Sequence, residues 1–304
     1  MKPFVDHLQL LPMPFLGGRR QPDGDHRPGG LGMATLADRL ARRGWTARVE
    51  DMGYDAAVSE SLLAEAFARG IGDGVLSALD RARFPIVLTR AGYGALGVID
   101  ALGPRTALVW VSAETDYRTR GLFGRRPLDR TALAMVTGRA ARHKMAVRPA
   151  RIAGRQLIVV GGRQAGRDEL RAMAEDGVRR LAPDEIDRLP DLVAETGAPR
   201  WFLHIDLSAL PAGAAPAADE SAPEGIDPSI LGRAIGRSFG RGAPLATLAC
   251  ARYDLNRDDG GKTATTLVDL IEAAVVAAGG VPGPGGGSDP GRIEEGRGEP
   301  SRSS

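Results

Sequence analysis

Eight short apolar runs recur along the chain, and between them apolar positions return at helical spacing. The runs predict strands at Leu8–Phe15, Thr46–Met52, Pro85–Thr89, the apolar beginning of Ala107–Thr119, Gln156–Val160, Gly177–Leu181, Trp201–Asp206 and Leu245–Cys250. The intervening segments predict helices over Met33–Arg43, Ser59–Arg83, Gly94–Leu102, Thr131–His143, Asp168–Asp176, Asp184–Thr196, Asp227–Phe239 and Thr263–Ala278. Gly70–Gly74 is expected to break the second of these, Gly44 to stop the first, and Asp227-Pro228 to cap the seventh. Strands that alternate with helices throughout argue for a three-layer α/β/α domain, its eight-stranded sheet mostly parallel and covered on both faces. That domain is expected to span residues 1–278. From Gly279 the chain turns to GGVPGPGGGSDPGRIEEGRGEPSRSS, which has too little apolar area to offset its ordering entropy. Residues 279–304 are therefore predicted to form a disordered tail.

Charge and composition narrow the function classes. A formal net charge of +2 over 304 residues gives no electrostatic reason to expect nucleic acid or an acidic membrane as partner. No apolar run approaches the roughly 20 residues that span a bilayer. The first residues, MKPFVDHLQLLPMPF, lack a basic region followed by a long apolar one. A single cysteine, Cys250, excludes an internal disulfide and fits a reducing compartment, so a cytoplasmic location is expected. Cys250 itself lies in an apolar run and reads as a buried, inert thiol.

Candidate chemistry gathers at two strand ends. In Ala107–Thr119 the apolar run becomes acidic, and continued extension would put Ser112, Glu114 and Asp116 on one face. Trp201–Leu210 does the same with His204, Asp206 and Ser208. Ligands of open α/β sheets bind outside the carboxyl ends of the strands, where both sets would lie. Carboxylates beside an imidazole suit a divalent cation such as Mn or Mg, which could activate a bound water. The alternative is structural: Asp116 and Asp206 cap loops or pair with Arg118 or Arg120. A third candidate is Gly92-Tyr-Gly-Ala-Leu-Gly97, a GxGxxG after a strand and opening a helix, with Glu114 ending the next strand. This is the spacing of a dinucleotide-binding turn formed by Gly92, Gly94 and Gly97, although it follows the third strand rather than the first. Gly261-Lys262-Thr263 is not a phosphate loop, because Asn256 stands where the leading glycine belongs.

The order of these segments resembles the ureohydrolase superfamily, which includes arginase, agmatinase and formiminoglutamase. IVLTRAGYGALG (Ile86–Gly97) is similar to that family's GGDHS strand end, and VSAETDYRT (Val111–Thr119) to its DAHxD segment. HIDLSALPAGAAPAADESAPEGI (His204–Ile226) resembles the SxDxDxxDP segment, and RYDLNRDDGGKTA (Arg252–Ala264) the late ExNPxxDxxGxTA segment. QLIVVGGRQAGRDEL is similar to a further strand-and-helix unit of the family. The likeness covers residues 8–278 and implies an arginase-like fold and assembly into oligomers. It also implies hydrolysis of linear amidines by two manganese ions held on two histidines and four aspartates.

The ligand positions depart from that pattern. The first histidine falls on Gly92, one aspartate on Ser112, the second histidine on Glu114 and another aspartate on Ser208, while Asp116 and Asp206 are kept. The late glutamate falls on Arg252. Without its bridging carboxylates an ordinary dimanganese centre is not expected. Two readings remain. One is a catalytically silent relative that binds a small-molecule ligand, or assembles as a homo-oligomer or with an active paralogue. The other is a hydrolase of linear amidine C–N bonds with one divalent metal, Mn or Mg, on Glu114, Asp116, Asp206 and His204. Because Arg252 reverses the charge expected beside a guanidinium, the implied ligand is anionic or neutral, with Arg90 and Arg252 as contacts.

Overall fold

A computed structural model describes residues 7–13, 33–50, 52, 60–89, 92–118, 128–140, 151–220, 222–254, 257–258 and 260–283. Eight strands form one sheet: β1 (His7–Met13), β2 (Thr46–Val49), β3 (Phe84–Thr89), β4 (Thr106–Ser112), β5 (Leu157–Gly161), β6 (Arg179–Leu181), β7 (Arg200–Asp206) and β8 (Leu245–Ala251). Their spatial order is β2-β1-β3-β8-β7-β4-β5-β6, and every ladder is parallel. The central strands β3, β4 and β8 are buried at every position, as their near-continuous apolar sequences require. The edges are short and charged: β2 reads TARV and β6 reads RRL, which discourages pairing with another chain.

Helices cover both faces. On one side α1 (Met33–Arg42), α6 (Leu189–Glu195), α7 (Pro228–Gly236) and α8 (Lys262–Ala277) pack their apolar stripes against Leu8, Ile86, Val109, Leu203 and Leu248. On the other, α2 (Glu60–Asp80), α3 (Gly94–Leu102), α4 (Ala132–Val136) and α5 (Arg167–Glu175) cover Leu11, Val87, Leu108, Trp110 and Phe202. The three-layer expectation therefore holds, with the sheet wholly parallel. The chain builds β3, jumps outward to β4, β5 and β6, then returns to insert β7 and β8 between β3 and β4. The loops after β3, β8, β7 and β4 consequently lie side by side at the carboxyl edge of the sheet. The strand order reverses here, and such a reversal opens a crevice.

Three expectations need correction. α2 continues through Gly70–Gly74, because tertiary packing overrides helix propensity. A Cβ at Gly72 would lie 3.1 Å from the carbonyl of Gly97, and one at Gly74 would lie 2.9 Å from the Leu11 side chain. Of the helix predicted over Thr131–His143, the described residues form only α4, which ends in a turn where Gly138 takes φ +79°, and residues 141–143 lie outside the described residues. Asp184–Thr196 divides into a 3-10 helix at Pro183–Arg188 and then α6.

The predicted cap of α7 is present, with the Asp227 carboxylate accepting from the amides of Ser229 (2.8 Å) and Ile230 (3.2 Å). The first residues beyond α8 are ordered on the domain, where the Gly283 amide donates to the Gly44 carbonyl at 3.0 Å. The rest of the segment beyond Gly279 lies outside the described residues. Among the described residues no helix is long and apolar enough to cross a membrane.

Candidate functional site

β4 ends at Ser112 and the chain then bends, so period-two alternation does not carry Glu114 and Asp116 onto one strand face. The Ser112 hydroxyl accepts from the Glu114 amide at 3.1 Å, which turns the chain. Asp116 adopts φ +48°, and its carbonyl accepts from Leu133 (3.1 Å) and Ala134 (3.3 Å) at the start of α4. β7 ends at Asp206, and a 3-10 turn follows at Leu207–Ala209. His204 and Asp206 do share a strand face, whereas Ser208 has left it.

Arg252 joins these strand ends. It follows β8 with φ +67°, donating its amide to Thr89 (3.1 Å) and accepting at its carbonyl from Asp219 (3.1 Å). This kink sends its guanidinium across β7, where Nε donates to Asp206 Oδ2 at 2.6 Å. Only 6% of Arg252 and 1% of Asp206 is exposed, so the pair is desolvated. The other Asp206 oxygen accepts from the Ser208 amide at 2.9 Å.

Arg252 Nη1 lies 3.2 Å from Glu220. Glu220 also lies 3.5 Å from Arg130 Nη2, and Arg130 Nη1 pairs with Glu114. A chain of alternating charges thus runs Asp206–Arg252–Glu220–Arg130–Glu114, rising from the buried strand end to the half-exposed Glu220 and returning to the buried Glu114. Burial pushes the Glu114 carboxyl above its ordinary value, against the opposing pull of Arg130.

Left-handed backbone marks the same place. Among the described residues the non-glycines with positive φ are Ala82, Asp116, Glu220 and Arg252, and the last three border this cluster. Each such residue costs on the order of 1–3 kcal/mol, and such strain collects where surrounding contacts impose a particular geometry.

Beneath the charges the site is filled. The His204 ring stacks on Trp110 with centroids 3.7 Å apart and planes 9° from parallel. His204 is fully buried, and neither ring nitrogen has a hydrogen-bond partner. Burial, with Arg252 nearby, lowers its pKa to about 3, so the imidazole is neutral in ordinary conditions. Trp110 also occupies the space beside Gly92, where a Cβ would come within 2.8 Å of the indole and 3.5 Å of Asp116.

The glycines of the GxGxxG have packing reasons. A Cβ on Gly97 would sit 1.9 Å from the Ala68 carbonyl of α2, and one on Gly94 would meet the Met13 sulfur at 3.0 Å. They let α3 sit close to α2 and β1, and this contact accounts for the motif without a dinucleotide.

A dimetal centre of the kind implied by the family resemblance does not fit these residues. The space for a side chain at Gly92 holds an indole, and a guanidinium occupies one face of Asp206. Among the described residues no three His, Cys, Asp or Glu side chains are grouped so as to hold a metal ion. Glu114 and Asp206 face different arginines, His204 lies under Asp206's strand end against Trp110, and Asp116 lies beside Gly92. Arg90 lies outside the described residues.

Strand-end reasoning missed Arg130 and Glu220. Neither lies on a strand or in a periodic segment, so only their charge could have marked them. It also missed Arg163, whose Nη2 donates to the Ser208 carbonyl at 2.9 Å and fixes the turn after β7.

No protein-family model matches the sequence, and no curated protein matches it by sequence comparison. Solved structures do match in three dimensions. Arginase from Bacillus subtilis superposes with a TM-score of 0.73, covering 88% of this chain and 98% of its own at 19% identity. The fold is the arginase fold. Agmatine ureohydrolase of Thermoplasma volcanium (TM-score 0.63, 17% identity, 90% of each chain) shares it. So does formimidoylglutamase from Bacillus subtilis (0.68, 14% identity, 91% of this chain and 88% of that one). At such identities the likeness establishes the arginase fold and leaves the chemistry to the residues of the site.

Proposed function

We propose that this arginase-fold protein works without a dimetal centre and without hydrolysing amidines, by binding a small-molecule ligand or a partner subunit. The observation that carries this reading is the buried 2.6 Å contact between Arg252 Nε and Asp206. The carboxylate that the family resemblance assigns to a metal, Asp206, here accepts from a guanidinium of its own chain. A fixed guanidinium offsets the charge of Asp206 but supplies neither a Lewis acid nor an activated water. Hydrogen-bonding capacity and charge remain, and these suit recognition. The ligand is anionic or neutral, with Arg252 and Arg90 as its contacts. Assembly with a second copy or a related subunit is part of the same proposal.

A second reading keeps catalysis on a mononuclear Mn or Mg site. The observation in its favour is that both His204 nitrogens lack hydrogen-bond partners in a buried setting, where a cation would satisfy one of them. Metal analysis of protein purified without chelator, repeated on Asp206→Ala, separates the two when paired with an amidine and guanidine hydrolysis screen in added Mn²⁺. The expected result is no stoichiometric metal and no turnover. Near-stoichiometric metal that disappears in the variant, together with turnover, overturns the proposal in favour of the mononuclear site.

A further inference from the structure

The charges at the carboxyl edge of the sheet do not balance unless the arginines are counted as part of the site. Asp206, Glu220, Glu114 and Asp116 gather where four central strand ends meet, and Asp206 is buried. Close carboxylates repel one another and resist joint ionisation unless a cation lies between them. Arg252 lies between two of them, Nε on Asp206 at 2.6 Å and Nη1 on Glu220 at 3.2 Å. Its position is not a relaxed one. A side chain of ordinary preference would leave the left-handed region, yet Arg252 holds φ +67° with both backbone polar groups bonded, to Thr89 and Asp219. Glu220 accepts the same kind of strain at φ +58° while facing both Arg252 and Arg130.

We infer that Arg252 is the resident cation of this site. Its guanidinium neutralises the carboxylate centre and locks the loop bearing Glu220 to the ends of β7 and β8. The site is therefore metal-independent in the native protein, and removal of this one side chain opens a cation-binding cavity lined by Asp206 and Glu220. The inference goes beyond the absence of hydrolysis, because it assigns a latent ligand class, guanidinium or a divalent cation, and the residue that excludes it. Arg130, itself more exposed than Arg252, plays a second part of the same role, bridging the half-exposed Glu220 to the buried Glu114.

Arg252→Gly is the informative variant, because glycine adopts φ +67° freely and keeps the backbone while deleting the guanidinium. Thermal unfolding of the full chain is followed with EDTA, with Mn²⁺, with millimolar guanidinium chloride, and with NaCl at matched ionic strength. The wild-type protein should respond to none of these. Arg252→Gly should melt roughly 6–12 °C lower, the loss expected when a buried charge pair is broken in a chain of this size. At least half of that loss should return with guanidinium or Mn²⁺ and none with NaCl. The double variant Arg252→Gly/Asp206→Asn should lose the recovery, since it removes the charge that the added cation would meet.

Three outcomes overturn the inference: no recovery of Arg252→Gly by either cation, recovery that survives in the double variant, or wild-type stabilisation by Mn²⁺ equal to the variant's. If Arg252→Gly does not fold, Arg252→Lys carries the test. Its ammonium keeps the site filled, so it should melt below wild type and remain insensitive to Mn²⁺ and guanidinium, and sensitivity to either would overturn the assignment. Metal found in the wild-type protein would overturn the preceding functional reading as well. Failure of recovery in Arg252→Gly alone would leave that reading standing.

Discussion

Two buried aspartates near the carboxyl edge of the sheet are held in opposite ways. Asp258 accepts from the Thr263 amide at 2.9 Å, the Ala264 amide at 2.8 Å and the Tyr253 hydroxyl at 3.0 Å. It sits at the N-terminus of α8, where exposed amides and the helix dipole favour a negative charge. Thr263 extends the lock, its hydroxyl accepting from the Ala217 amide at 2.9 Å, so the loop that bears Glu220 is tied to the same helix start. Asp206 instead accepts one local amide, from Ser208, and one guanidinium, from the residue that follows the neighbouring strand β8. Asp258 is thus satisfied mostly by backbone that folds next to it, and it keeps its job whatever the neighbouring side chains become. Asp206 depends on the residue at position 252. A contact of the first kind tolerates changes in neighbouring side chains, whereas one of the second kind is remade whenever position 252 changes.

The largest effect should come from breaking the Asp206 pair. Asp206→Ala leaves the Arg252 guanidinium buried without its close counter-charge and should cost about 3–5 kcal/mol in urea or thermal unfolding. Asp206→Asn keeps the size and one acceptor for Ser208, so it isolates the charge. If the guanidinium pairing is what matters, Asn should be nearly as damaging as Ala. An Asn variant as stable as wild type would show that Asp206 serves as a plain hydrogen-bond acceptor, and the contrast with Asp258 would collapse.

Asp258 should respond differently to the same two changes. Asp258→Ala loses three acceptor contacts at the helix start and should cost roughly 1.5–3 kcal/mol. Asp258→Asn retains one carbonyl oxygen for part of this network, so it should cost clearly less than Ala. Equilibrium unfolding of the four variants together gives the ratio of Asn to Ala losses at each site. The comparison predicts a ratio near one at position 206 and well below one at position 258.

Much of the fold was legible because burial on two faces writes itself into a strand. FPIVLT, TALVWVS and LATLACA are apolar at nearly every position and became β3, β4 and β8 with small changes of boundary. Helix interiors were harder, since the glycines of α2 weaken the helix locally yet permit its close approach to α3, a benefit visible only in three dimensions. In the site, the shared strand face of His204 and Asp206 followed from strand alternation, because both lie within β7. The placement of Glu114 and Asp116 did not, because β4 stops at Ser112 and left-handed Asp116 redirects the chain. Arg130 and Glu220 reach the cluster from 90 residues apart in sequence, and no local pattern encodes such a meeting.

His204 should show the smallest effect at neutral pH, and the clearest one in acid. As a metal ligand it would be essential, but as a neutral ring stacked on Trp110 it is mainly a flat, buried surface. Its unsatisfied nitrogens make it a costly one, and exchanging a buried polar group for an apolar one of similar shape is often neutral or stabilising. His204→Phe should therefore change stability at pH 7 by less than about 1.5 kcal/mol.

The pH dependence follows from the depressed pKa. Between the folded value of about 3 and the ordinary value of 6.5, the unfolded chain binds a proton that the native protein does not. The contribution of His204 to stability is thus fully present above pH 6.5 and falls away as the pH drops toward 3. Glu114, whose folded value is raised, acts in the opposite sense, its contribution being lost as the pH rises above 4.5. Removing the histidine should therefore flatten the acid limb between pH 6.5 and 3 and leave the Glu114 slope in place. An acid limb unchanged in His204→Phe would mean that the ring is already protonated or solvated in the native protein, and the filled floor beneath Asp206 would then have to be redrawn as an open one.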